Sequence, residues 1–421
     1  MIQPTAIFPG ITLRCFPDKR FKHGGLSIQL VRPMCREEAA LNALLPAVLL
    51  RGSQSCPDLR QITLRLDDLY GASVGTLVRR VGDYQTTGFY ASFTDDRFAM
   101  EGDAILEPLV RFVKELLLSP VLEAGVFRSD YVDSEKRNLI ATIESQLNDK
   151  RAYAMEKMIR SMCREDSFGI SRLGEKEAVA AITPKALYDH YQKILRQSRI
   201  DVFYVGAAPQ DQVARLVQDF FAEIPRAYLP LPEQTGYHFA PRADFGERMD
   251  VNQGKLCMGF ATPVTIRDEE FVATQLMNLV FGGGTTSKLF MHIREKLSLC
   301  YAIGSGYHGS KGILTVSAGI DSDQDKLVRR EILAQLDACC RGDITPEELQ
   351  SAKQAMRSSL LATHDSPGSI ESYYASAALS GLKLNPAQYL ERVEQTTAEQ
   401  VQAAARKLKL HSVFFLKGVA Q

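Results

Sequence analysis

Polar and apolar residues alternate from Gly75 to Arg80 and from Thr86 to Phe93, on either side of Gly82-Asp83, which predicts a β-hairpin. Apolar residues then recur at helical spacing from about Ala104 to Leu118, and again from about Ala124 to Lys150. Mixed charges and helical spacing across Asp130 to Met158 describe an amphipathic helix that covers a sheet. The second half repeats the plan. Strands are expected at Tyr301–Gly306 and Ile313–Ile320 around Gly309-Ser310-Lys311-Gly312. Helices are expected from about Lys326 to Cys340, and from Thr345, with Pro346 in the first turn, to about His364. Laid over one another, Leu69-Tyr70-Gly71-Ala72 matches Cys300-Tyr301-Ala302-Ile303, and Phe89-Tyr90-Ala91-Ser92-Phe93 matches Thr315-Val316-Ser317-Ala318-Gly319. A duplicated domain explains this order, and hairpins followed by helices give an α+β class with antiparallel sheets flanked by helices.

Between the halves, Pro225, Pro230, Pro232, Gly236, Pro241 and Gly246 interrupt any regular element. This predicts a first domain over 1–224, a Pro-rich linker over 225–245 and a second domain over 246–421. A chain of 421 residues suits two domains of about 200 residues each.

Charge excludes some functions. Fifty basic residues balance fifty acidic ones and no run of five like charges occurs, so nothing favours nucleic acid or a charged membrane. No stretch approaches ~18 uninterrupted apolar residues. The start, Met1-Ile2-Gln3-Pro4-Thr5, lacks a basic region followed by an apolar core, so no signal peptide is expected. Eight scattered cysteines without a C-x-x-C fit reduced thiols in a cytoplasmic protein.

Little local chemistry survives inspection. The histidines are His23, His190, His238, His292, His308, His364 and His411, and no two are spaced to share a helical face as metal ligands. Gly282-Gly283-Gly284 is not followed by Gly-Lys-Ser/Thr and reads as a flexible turn before a helix over Thr286 to Lys296. Asp67-Asp68 is a solvated charge cluster, because adjacent helix positions do not face each other. Neither a G-x-S-x-G nor a Cys/His arrangement is evident.

One stretch is more specific. Leu279-Val280-Phe281-Gly282-Gly283-Gly284-Thr285-Thr286-Ser287-Lys288-Leu289-Phe290 is followed by Ile293-Arg294-Glu295-Lys296 and Leu299-Cys300-Tyr301. This run resembles the C-terminal domain of the M16 (insulinase, pitrilysin and mitochondrial processing peptidase) family, and the resemblance extends over both halves. It implies two M16/LuxS-like metallohydrolase domains. The family's first domain carries H-x-x-E-H before an apolar run ending in Lys/Arg-Gly-Thr/Ser, and Leu49-Leu50-Arg51-Gly52-Ser53 matches that ending. In that frame the motif falls on Ala43-Leu44-Leu45-Pro46-Ala47, whose working positions are Ala43, Pro46 and Ala47. The family's third ligand, placed from Glu135-Lys136-Arg137, falls on Thr142. Zinc is therefore expected only in a partner subunit, and no cofactor here. Pro46 also interrupts an otherwise buried helix from Glu37 to Leu50. It removes a hydrogen bond to Asn42 and costs roughly 3 kcal/mol, unless the helix begins near Pro46.

By the same resemblance, Arg294 and Tyr301 match the Arg and Tyr that hold substrate and stabilise the oxyanion in active members. A forked guanidinium and a phenol suit an oxygen gaining charge. The competing structural reading is an Arg on a helix surface beside Glu295 and a Tyr packed at a strand start. The combination implies a non-catalytic subunit that binds extended peptide and forms a heterodimer with an M16 subunit carrying intact H-x-x-E-H, leaving a homodimer open. The alternative is a stand-alone peptide-binding or scaffold protein. Within the family the chain resembles bacterial M16-like proteins named for association with elongation factor P 5-aminopentanol modification.

Overall fold

The structure, a computed structural model, describes residues 3–234 and 239–418. Gly236 and His238, singled out above, lie outside the described residues. The first half runs β1 (Thr5–Phe8), β2 (Ile11–Pro17), β3 (His23–Pro33), α1 (Arg36–Leu49), α2 (Leu59–Asp67), β4 (Ser73–Val81), β5 (Tyr84–Thr94), α3 (Leu106–Leu118), β6 (Leu122–Glu123), β7 (Val126–Phe127) and α4 (Ser129–Ser145). It continues with α5 (Lys150–Met162), α6 (Lys176–Ala180), α7 (Pro184–Gln197), β8 (Arg199–Gly206) and α8 (Gln210–Phe221). The second half runs β9 (Ala243–Met249), β10 (Gly254–Ala261), α9 (Phe271–Phe281), a π-helix (Leu289–Lys296), β11 (Ala302–His308), β12 (Ile313–Ile320) and α10 (Asp325–Arg341). It ends with α11 (Pro346–Ala362), α12 (Pro367–Ser380), α13 (Pro386–Gln395), α14 (Ala398–Arg406) and β13 (Lys409–Gly418).

The duplication is visible in sheet topology. One sheet is ordered β1-β2-β8-β3-β5-β4 and the other β11-β12-β10-β13-β9. Read from β4 and from β11, five strands follow the same order. The equivalent pairs β2–β8 and β9–β13 are the parallel ones, with Leu13 opposite Val202 and Phe245 opposite Phe414. The remaining named pairs of the two sheets are antiparallel. Both expected hairpins are present, and their turns use Gly82 (φ +58°) and Gly312 (φ +64°), a left-handed conformation that favours glycine.

Two compact units form, and they differ from the contiguous halves expected. One comprises Met1–Glu144, Ile170–Gln234 and His364–Leu379; the other Ser145–Gly169, Thr235–Thr363 and Ser380–Gln421. Counted along each half, α5 and α12 are equivalent helices, and each packs in the unit built mainly from the other half. The expected linker also ends early, since β9 starts at Ala243.

In the first unit the main core lies between one sheet face and its helices, where Leu109, Val113 and Leu116 of α3 are buried. On β8, Ile200, Val202 and Tyr204 face this core, while Phe203 and Val205 face Ile370 and Ala375 of α12. In the second unit α5 covers one sheet face with Ala154, Met158 and Met162 against Cys257, Phe414 and Leu416. Gly259 of β10 permits that approach, because a Cβ there would stand 2.6 Å from the Met158 sulfur.

The long helix expected across Asp130 to Met158 is broken. α4 ends at Ser145, and Asp149 starts α5 by accepting the amides of Arg151 and Ala152 on its carboxylate. The start expected near Ala124 is instead a short hairpin, β6–β7, with Ala124 at φ +50° and Gly125 at +81°. α11 begins as its sequence predicts, with a Thr345–Glu348 capping box and Pro346 in the first turn.

Candidate functional site

α1 runs through Pro46, so the helix does not begin there. Pro46 has no N–H for the Asn42 carbonyl, and that carbonyl instead accepts the Thr87 hydroxyl of β5 at 2.6 Å. The neighbouring strand has taken over the missing helical bond. Thr87→Val should orphan the buried carbonyl and cost about 1–3 kcal/mol. The same change in a Pro46→Ala background should cost distinctly less, which urea unfolding of the four proteins in the cycle measures.

Ala43 and Pro46 are buried and Ala47 is half-buried, and none offers a lone pair to a cation. Thr142 is exposed on α4 and donates to the Asn138 carbonyl. Glu135 is engaged by Arg51 at 3.3 Å. Among the described residues no group of three or more His, Cys, Asp or Glu could hold a metal ion. The zinc that the fold implies does not fit these residues.

A neutral polar network fills the space around α1. Gln85 donates its amide to the carbonyls of Ala39 and Arg172, so its oxygen faces Asn42 and accepts from Nδ2 at 2.9 Å. Asn42 Oδ1 then faces His190 Nε2 at 2.8 Å, which fixes the ring proton on Nε2. Burial lowers the His190 pKa to about 4, partly opposed by Glu38. Burial pushes the Glu38 carboxyl up, but Arg32 and Lys193 hold it down at about 2. An unfolded His190 takes a proton near pH 6.5, whereas the folded one resists until about pH 4. Its contribution is therefore complete above pH 6.5 and is lost as pH falls from 6.5 to 4, by on the order of 3 kcal/mol. His190→Gln should flatten the pH dependence of the urea midpoint in that window, with the Glu38 contribution left to decline between about 4.5 and 2.

The second candidate pair lies in the other unit. The segment expected as an ordinary helix from Thr286 is π-helical over Leu289–Lys296, with the Leu297 amide bonded five residues back to His292. Leu289 and Ile293 are fully buried and anchor it. Arg294 therefore projects outward, with its guanidinium 4.6 Å from the Phe290 ring centroid and 3.5 Å from Glu295. Tyr301 is 78% exposed, and its amide donates to the Gly319 carbonyl as β11 begins. The structure thus contains the Arg294–Glu295 contact of the competing reading but not its packed tyrosine. The Tyr301 hydroxyl has no partner among the described residues. Between them, burial raises the Cys300 thiol to about 11 and the nearby Arg294 charge opposes this.

The first two glycines of the run are closely packed, whereas a Cβ on Gly284 would meet nothing within 4 Å. A Cβ on Gly282 would lie 2.6 Å from Leu289 Cδ1, and one on Gly283 would lie 2.9 Å from Leu279 Cα. The amides of Gly282 and Gly283 both donate to Asn278, so they are not available to cradle a phosphate. The Gly282 carbonyl accepts the Ser305 amide of β11. This run, β11 and the start of α5 enclose a cleft of about 670 Å³ that local sequence patterns did not disclose.

The family profile described as "Peptidase M16 inactive domain" matches residues 181–356. The chain is 30% identical over 409 residues to the "Probable inactive metalloprotease YmfF" of Bacillus subtilis (strain 168), covering 97% of this chain and 96% of that one. The chain belongs to the M16 peptidase family. A conserved protein from Enterococcus faecalis V583 superposes with a TM-score of 0.92 at 26% identity, over 100% of this chain and 99% of the other. A peptidase M16 inactive domain from Pseudomonas fluorescens shares the fold, with a TM-score of 0.81 at 16% identity over 99% and 98% of the two chains. Among the described residues no helix is long and apolar enough to cross a membrane.

Proposed function

We propose that this chain is a non-catalytic M16 subunit that binds extended peptide and completes the chamber of a partner zinc metallopeptidase, acting in protein processing or maturation. The observation that carries the reading is a pairing of loss and retention. In the frame set by Leu49-Leu50-Arg51-Gly52-Ser53, Ala43, Pro46 and Ala47 stand where the family motif has its working groups, while Arg294 and Tyr301 present donors to solvent. A phenol left 78% exposed gains little from burial, whereas its free O–H suits a substrate oxygen. Arg294 offers a forked donor for a peptide carbonyl or carboxylate. The partner supplies the zinc, and this chain supplies binding and orientation.

The test is affinity capture of the tagged chain from its own cells, with mass spectrometry and metal analysis of the complex. A stoichiometric M16 protein carrying H-x-x-E-H and one zinc per pair is the expected result. Recovery of this chain alone, or only with itself, would leave the scaffold reading.

A further inference from the structure

The cleft of the second unit contains a cation that the M16 motif residues do not explain. Arg151 stands in the first turn of α5, and its Nε donates to the buried hydroxyl of Ser317 on β12 at 2.9 Å. That bond aims the guanidinium, and its two terminal nitrogens have no partner among the described residues. Of the residues lining the cleft, Asp149 is the one carboxylate, and its Oδ1 is engaged in capping α5. The opposite wall is β11, an edge strand with Gly304 and Gly306 in its middle. Neither glycine is required by packing. A Cβ on Gly304 would have its nearest neighbours at 3.5 Å and, at Arg151 Nη2, 3.9 Å, and one on Gly306 would meet only Thr315 at 3.6 Å. Glycine in a strand without a packing need marks a place where another backbone comes close. Edge strands receive extended peptides by adding a strand, with side pockets giving selectivity. A fixed guanidinium fork with free N–H groups is complementary to a carboxylate.

We propose that this cleft binds an extended peptide along β11 and that Arg151 reads a carboxylate on it, either an acidic side chain or a free C-terminus. Arg151 is then a specificity-determining residue, contributed by the first half of the chain to a cleft built mainly from the second. The inference rests on the peptide-binding reading above and names the chemistry of the peptide.

Fluorescence anisotropy with the full-length chain tests it, using three labelled decapeptides on one Gly/Ser/Val background. One is amidated and neutral, one has a free C-terminal carboxylate, and one is amidated with a single internal glutamate. At least one carboxylate peptide should bind about 10-fold or more tighter than the neutral one, and which one does identifies the source. Arg151→Gln should erase that difference, bringing the carboxylate peptides to the affinity of the neutral one. Ser317→Ala should reduce the difference by freeing the guanidinium, and a discrimination that survives in Arg151→Gln would overturn the proposal. Equal binding of all three peptides to the unaltered chain would overturn this inference alone. No binding of any would overturn the peptide-binding reading with it.

Discussion

Arg294→Ala and Tyr301→Phe should each lower peptide hydrolysis by the assembled pair by about 10²–10³-fold, with assembly and zinc content unchanged. That is the usual cost of removing one donor aimed at a developing oxyanion. Both side chains are outward-facing, and the buried anchors of their segment are Leu289 and Ile293. The substitutions therefore remove donors without opening a core, and thermal melts of the variants should match that of the unaltered chain. If these residues stabilise the transition state, kcat falls. If they only hold the ground state, KM rises at constant kcat. Unchanged kinetics for both variants would remove them from the substrate site.

Arg79→Met should destabilise the first unit by about 3–5 kcal/mol, the range for stranding a buried charge. Glu371 of α12 is 1% exposed. Its Oε1 accepts Ser27 Oγ at 2.9 Å, Gln29 Nε2 at 2.6 Å and Arg79 Nη1 at 3.0 Å, and its Oε2 accepts Arg79 Nη2 at 2.9 Å. Without Arg79 the carboxylate keeps only neutral donors. The double change Arg79→Met with Glu371→Leu should recover much of the loss, because Gln29 already donates to Ser27 at 3.1 Å and needs no carboxylate. Urea unfolding measures both, and limited proteolysis should show cleavage near 364–379 rising in the single variant. A single variant as stable as the double one would show that α12 is held by Ile370 and Ala375 rather than by the ion pair.

Much of this architecture is legible in the chain because its signals are local. Alternation and turn glycines mark β4–β5 and β11–β12, and Thr345-Pro346 with Glu348 marks the start of α11. The Gly-Gly-Gly to Leu-x-Tyr run marks the family. The rest depends on distant partners. Nothing within residues 145–169 says that α5 packs on β10 and β13, and Arg151 looks like any surface arginine until Ser317 is beside it. Nothing near Glu371 reveals its partners on β3 and β4. The break at Asp149 was hidden because polar spacing continues through it. The π-helix was hidden because Leu289 and Ile293 keep ordinary four-residue spacing while the backbone bonds shift by one. At Pro46 the sequence foretells a missing hydrogen bond, but only the packed strand shows Thr87 replacing it.

The most direct test of the central claim is hydrolysis of a quenched-fluorescent peptide by this chain, by its captured H-x-x-E-H partner, and by the two mixed, each with zinc supplied. The account predicts no turnover by this chain alone, little by the partner alone, and full turnover only by the mixture. Hydrolysis by this chain alone would contradict the loss of the metal centre at Ala43, Pro46 and Ala47. Equal turnover by the partner with and without this chain would contradict its role in completing the chamber.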